Sequence, residues 1–162
     1  MAEQDAKRRT FQFLAASALI LAVTAAVVIC VDPFFHYHKP WFGLAAVQDQ
    51  KEYQIPGVLA HVDYDSVLCG SSVVISMNTD VLEERFGGTV VKAVADAAPA
   101  PVLTEYLRRA FLHRSLTRVF YGLDVFSFYS DPDMEVFSEY VAYLANRNPY
   151  DDVRYLWNGE IL

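Results

Sequence analysis

Ser66-Val67-Leu68-Cys69-Gly70-Ser71-Ser72 decides how this chain is read. An apolar run without a charge, closed by a glycine and two serines, has the length of a buried strand that ends in a turn. Asp63-Tyr64-Asp65 precedes it. Asn78-Thr79-Asp80 follows as the N-cap of a short helix with Val81, Leu82 and Phe86 on its apolar side. Gly87-Gly88 stops that helix. Residues 89–94, apolar and β-branched, predict a second strand. An alanine-proline loop fills 95–101. Residues 102–113 then space Leu103, Tyr106, Leu107, Ala110 and Phe111 by three and four, an amphipathic helix with Thr104 placed to cap it. Residues 116–123, centred on Val119-Phe120-Tyr121, predict a third strand running into Gly122-Leu123-Asp124.

Strands alternating with helices through short links predict an α/β fold, a three-layer α/β/α arrangement around a parallel sheet. Right-handed crossovers put all three strand C-termini on one edge, and ligands of such sheets bind outside those ends. Ser71, Ser72, the 95–101 loop and Asp124 are therefore expected on one rim.

Upstream, residues 11–31 carry no charge and would span about 31 Å as a helix at about 1.5 Å per residue, enough to cross a bilayer. Lys7, Arg8 and Arg9 stand before this run and Asp32 after it. The asymmetry predicts a single-pass cell-membrane protein, with residues 1–10 a cytoplasmic tail, 11–31 the transmembrane anchor and the remainder extracytoplasmic. A cleavable signal peptide fits less well. Its apolar core is about 7–15 residues and ends in small side chains, whereas this run ends Val28-Ile29-Cys30-Val31-Asp32-Pro33.

Residues 32–62 read as an aromatic neck and a wrap onto the domain. DPFFHYHKPWF at 32–42 sets its rings directly outside the anchor, where aromatic side chains form an interfacial belt, and Pro56-Gly57 marks a turn. His36-x-His38 lacks a third ligand, so no metal is assigned. No cofactor is expected. The formal net charge of −7 and the lack of a basic stripe argue against nucleic acid as a partner. Cys30, at the membrane edge, and Cys69, in the predicted strand, do not make a disulfide framework. A helix over 134–145, a break at Asn148-Pro149 and a new element at 153–157 complete the chain. Three strands make a small sheet, and the chain reads as the N-terminal part of a longer protein.

Taken alone, Gly70-Ser71-Ser72 fits a turn whose hydroxyls satisfy backbone donors as well as it fits a nucleophile. It is not a G-x-S-x-G elbow, because position 74 is valine. The turn is similar to the first block of SGNH (GDSL-like) hydrolases. More widely, the chain resembles bacterial membrane-anchored SGNH-like proteins of the cell envelope. The resemblance lies in D-P-F-F-H-Y-H at 32–38, D-Y-D…G-S-S at 63–72, G-L-D at 122–124 and N-P-x-x-D-x-x-Y-L-x-N at 148–158.

That resemblance implies an SGNH-hydrolase or flavodoxin-like domain whose N-terminal part is 63–162. It implies an esterase or acyltransferase working on O-acyl groups of envelope polysaccharide, beside a multispanning membrane acyltransferase. Ser72 would be the nucleophile, with its own N–H in the oxyanion hole. Where the family has a glycine donor, this loop offers the N–H of Ala97 or Ala98, since Pro99 has none. Asp124 stands near a position where the family uses asparagine. A carboxylate does not donate unless protonated, so Asp124 is expected as a cap or a substrate-orienting acceptor. The family's D-x-x-H segment is absent. His36 and His38 lie at the membrane, His61 precedes the first strand and His113 ends a helix, so the His and Asp of a triad are expected beyond residue 162. Two other classes stay open: a non-catalytic envelope scaffold with a decayed site, and a carbohydrate-binding protein using the aromatic neck around Trp41.

Overall fold

The computed structural model describes residues 2–41, 51–128, 142–145, 148 and 150–157. Helix α1 (Ala2–Val31) contains the segment Gln4–Val31, long and apolar enough to cross a membrane. Only 6% of its most apolar window is buried by the rest of the protein, so it is not a core helix of the domain.

The chain reverses directly after α1, around Asp32. The N–H groups of His36, Tyr37 and His38 donate to the Asp32 carboxylate at 2.8, 2.8 and 2.9 Å, and the Tyr155 hydroxyl donates to it at 2.6 Å. Asp32 is fully buried. A carboxylate tolerates such a position only when its oxygens are hydrogen bonded. The Tyr155 oxygen in turn accepts the Phe34 N–H at 3.2 Å. Burial, then the bond to Asp32, push the Tyr155 phenol far above its ordinary pKa, so it stays a donor.

This reversal corrects the expected interfacial belt. Phe34 and Phe35 are buried instead of facing outward, and Phe34 stacks on Tyr53 with centroids 5.1 Å apart. Val28, Phe34, Tyr143, Leu144 and Tyr155 form a small core beside the anchor. Trp41 remains half exposed, stacked on His38.

Helix α2 (Lys51–His61) follows, with Pro56-Gly57 inside it and not at a turn. The reason is tertiary. A Cβ at Gly57 would collide with the carbonyl oxygens of Phe34 and Phe35, so glycine lets the neck backbone lie against the helix. His61 Nδ1 lies 2.7 Å from the Phe35 carbonyl and ties the same segment down.

The sheet is three-stranded and parallel, in the order β2 (Val90–Val94), β1 (Ser66–Gly70), β3 (Arg118–Tyr121). Val67 pairs with Val91 and Val119, and Leu68 with Lys92 and Phe120. Successive side chains alternate between two cores. Val67, Cys69, Val91 and Ala93 pack under α2 and α4 (Ala100–His113), against Leu59, Leu103 and Tyr106. Leu68, Val90 and Val94 face Val74 and Leu82, on the side of α3 (Thr79–Phe86). Each fully buried Val or Leu contributes about 1.5–3 kcal/mol. Helices on both faces make this a three-layer α/β/α arrangement. Asn78 caps α3 through the Asp80 N–H, and Gly87 ends it at φ 73°. Helix α4 begins two residues before the expected position, with Pro99 as its N-cap and a proline in its first turn, so Thr104 is not its cap. Proline's fixed φ suits that turn.

The two sheet edges differ. Glu83 of α3 accepts the outward N–H of Val90 on β2 at 2.7 Å. Strand β3 has Val119 and Tyr121 exposed, at 39% and 40%. Short helices α5 (Ala142–Ala145) and α6 (Val153–Leu156) carry Tyr143, Leu144 and Tyr155 to the neck.

Tyr155→Phe keeps the ring packing but removes the donor to Asp32, and should cost about 1.5–3 kcal/mol, the usual range for a bond to a charged group. Urea unfolding monitored by circular dichroism measures it. A second expectation concerns His38, whose Nδ1 and Nε2 lie 2.6 and 2.8 Å from the carbonyls of Lys39 and Ile29. Both partners are acceptors only, so just the imidazolium donates to both. The Lys39 carbonyl first, then that of Ile29 and the Asp32 charge, raise its pKa above the ordinary 6.5. The stabilisation it gives the neck is complete below 6.5 and is lost as pH rises through the higher folded value. An NMR titration of the His38 ring should give a midpoint above that of a free histidine; a midpoint at or below it refutes the assignment.

Candidate functional site

Strand β1 delivers Ser71 and Ser72 to the C-terminal edge of the sheet. Gly70 and Gly122, at the ends of adjacent strands, flank the Val74 side chain. A Cβ at Gly70 would lie 2.8 Å from Val74 Cγ2, well inside contact distance. The two glycines therefore form the slot into which Val74 folds, and this sets the pitch of the 3-10 turn Ser72–Val74.

The two serines take different roles. Ser71 is buried, and its Oγ donates to Asp124 Oδ2 at 2.7 Å while accepting a long bond from the Val73 N–H at 3.5 Å. Ser72 is exposed at the first position of the 3-10 turn. The turn is closed by the bonds of Val74 N to Ser71 O and Ile75 N to Ser72 O, both 3.1 Å. Lys92, the lone charge in β2, reaches across to donate to the Ile75 carbonyl at 2.8 Å. The ammonium thereby holds the far end of the serine turn.

The structure thus brings Ser71, Ser72 and Asp124 together on one rim, with Asp124 acting as acceptor. Ala97 and Ala98 follow the end of β2, whose Val94 pairs with Gly70, so they lie on the same edge. Ala97 is exposed and sits at φ 48°, a left-handed conformation that costs a non-glycine residue about 1–2 kcal/mol. Ala98 is buried, and its N–H donates to the Ala95 carbonyl at 3.3 Å, closing the loop on itself. Of the two backbone donors expected from sequence, that of Ala98 is engaged within its own turn.

The histidines lie elsewhere. His36 Nε2 meets Asp152 Oδ1 at 3.0 Å in the neck. His38 bonds the carbonyls of Lys39 and, in α1, Ile29, His61 bonds that of Phe35, and His113 ends α4 on the side where β3 begins, opposite the serine rim. Among the described residues, no group of three or more His, Cys, Asp or Glu is placed to hold a metal ion. Sequence reasoning placed Ser71 on the rim but not its bond to Asp124, and it did not single out Lys92 as the second support of the turn. A single lysine within an apolar run was the available signal for the second.

Comparison of the chain with family models, with curated proteins and with solved structures finds no match to any of them.

Gly70→Ala should overpack the Val74 slot and destabilise the domain by about 1–3 kcal/mol. Combining it with Val74→Ala, which opens space, should cost less than the sum of the single changes. Additive costs in a double-mutant cycle would show that the slot does not set the turn.

Proposed function

We propose that the protein is a single-pass, N-in membrane protein whose exported domain is an SGNH-type serine esterase or acyltransferase, acting on O-acyl groups of envelope polysaccharide. The observation carrying this reading is the exposed Ser72 at the C-terminal edge of the parallel sheet's central strand, braced by the part-buried Ser71–Asp124 bond. That edge is where open α/β sheets hold their ligands. Lys7, Arg8 and Arg9 on one side of the apolar helix and Asp32 on the other support the orientation.

In this mechanism Ser72 Oγ attacks the ester carbonyl and its proton passes to a histidine base oriented by an aspartate, the pair that the resemblance to SGNH hydrolases implies. The Ser72 N–H and the N–H of Ala97 receive the developing oxyanion. The intermediate collapses to acyl-Ser72 as the alcohol leaves with the proton. Water or a second sugar hydroxyl then attacks the acyl group, returning a proton to Ser72. Asp124 keeps Ser71 fixed and so sets the direction of the Ser72 turn. A multispanning membrane acyltransferase beside the anchor is the partner that the family resemblance adds to this reading.

A fluorophosphonate probe applied to the full-length protein should label it at Ser72. Ser72→Ala should abolish labelling, and Ser71→Ala should slow it by about tenfold or more through loss of positioning. A wild-type protein that stays unlabelled, where a control serine esterase reacts, would make Ser72 a turn residue and leave the envelope-scaffold reading.

A further inference from the structure

Val28, in the last turn of α1, is already buried against Phe34, Tyr143 and Tyr155. No free length of helix therefore separates the apolar span from the domain. From the end of α1 the contacts run to one edge of the sheet. His38 Nε2 meets the Ile29 carbonyl at 2.8 Å, and its neighbour Lys39 pairs with Asp63, just before β1. Arg114, just before β3, approaches the same Asp63 at 3.6 Å. His61, at the C-terminal end of α2, holds the Phe35 carbonyl. The edge attached in this way is the N-terminal one, where the three strands begin and where α3 and α4 end.

That edge displays large apolar side chains. Trp41 of the neck, Phe86 at the end of α3, and Phe111 and Leu112 at the end of α4 are exposed at 48%, 44%, 59% and 57%. Cations stand among them. Arg118 spends one donor on the Gly87 carbonyl at 3.3 Å, and among the described residues no carboxylate pairs with it or with Arg85. The aspartates here are engaged: Asp63 lies between Lys39 and Arg114, and Asp65 accepts from the Ser66 hydroxyl and the Thr89 N–H. The C-terminal edge also exposes apolar side chains, at Val73, Leu123 and Val125. Its carboxylates, Asp96 and Asp124, would meet a phosphate layer as like charges.

We propose that the N-terminal edge of the sheet is a second membrane contact, seated on the phospholipid surface of the leaflet from which α1 emerges. Trp41, Phe86, Phe111 and Leu112 enter the headgroup layer, and Arg85 and Arg118 meet lipid phosphates. The inference rests on the single-pass reading above and is independent of the esterase reading. Aromatic and aliphatic side chains interleaved with arginine are what holds a protein surface at a bilayer interface. Continuity with the anchor selects lipid as the occupant, because the close docking of Val28 leaves the edge no spacer by which to stand away. The seat also fixes the domain's orientation, with the serine rim on the side turned from the bilayer.

The test uses the full-length protein in phospholipid nanodiscs, with Cys30→Ser as background. Buried Cys69 stays unlabelled, because burial pushes its thiol up to about 12. A nitroxide is attached through Leu21→Cys in α1, Leu112→Cys at the seat or Val125→Cys on the rim. Electron paramagnetic resonance compares collisions with oxygen, which concentrates in lipid, and with a water-soluble nickel chelate. The oxygen-to-nickel ratio should be high at Leu21, intermediate at Leu112 and low at Val125. Adding Arg85→Glu, Arg118→Glu and Phe111→Asp should bring the Leu112 ratio down to that of Val125, with the circular dichroism unchanged. A low ratio at Leu112 beside a high one at Leu21 overturns the inference and leaves the anchor standing. A Leu112 label shielded from both reagents means that protein covers the edge, and equally overturns the lipid contact. A low ratio at Leu21 overturns the single-pass reading and the inference with it.

Discussion

A buried carboxylate organises the junction between the long apolar helix and the domain. When α1 ends, the chain has to turn within a few residues, and Asp32 makes the turn by gathering three consecutive backbone N–H groups. Desolvating a carboxylate costs several kcal/mol, and bonds to a charge return about 1.5–3 kcal/mol each. Four such bonds meet at Asp32. The fourth comes from Tyr155, 123 residues further along the chain. A local reversal thereby becomes a long-range closure. Phe34, Tyr143 and Leu144 pack around it because the polar groups at the centre are already satisfied.

A comparable economy governs the serine turn. Ser71 spends its hydroxyl on Asp124 and is buried by doing so, which leaves Ser72 the exposed hydroxyl of the pair. Val74 enters the slot between two glycines, and Lys92 holds the Ile75 carbonyl from the neighbouring strand. The turn is therefore tied to all three strands: to β1 by continuity, to β3 through Asp124 and Gly122, and to β2 through Lys92. Rigid support of that kind is what a reacting group needs, since small displacements of an attacking atom cost rate heavily.

Some of this could be read from the chain alone. The strands β1 and β2 and helix α3 carry local signals: an uninterrupted apolar run, a β-branched run, and an Asn cap with a Gly stop. The shared rim of Ser71, Ser72 and Asp124 followed from strand order and crossover hand. The neck did not follow, because the partner of Asp32 is Tyr155 and no periodicity relates positions so far apart. Pro56-Gly57 carries the composition of a turn, yet Gly57 is small because a second backbone lies on it. The start of α4 moved because Pro99 and Pro101 fix the chain before Thr104 has anything to cap. The bond that engages the Ala98 N–H depends on the left-handed conformation of Ala97, which alanine gives no hint of adopting.

The carboxylate of Glu83 has a consequence for how the sheet can grow. By occupying the outward N–H of Val90, it blocks the edge of β2 as a template for another strand. The opposite edge, along Arg118–Tyr121, has side chains exposed on its flanks, and among the described residues no carboxylate takes an outward N–H there. The sheet is thus polarised, like a crystal with one poisoned face. A strand added beside β3, from the same polypeptide or another, lies next to Asp124 with β3 between it and the serine strand.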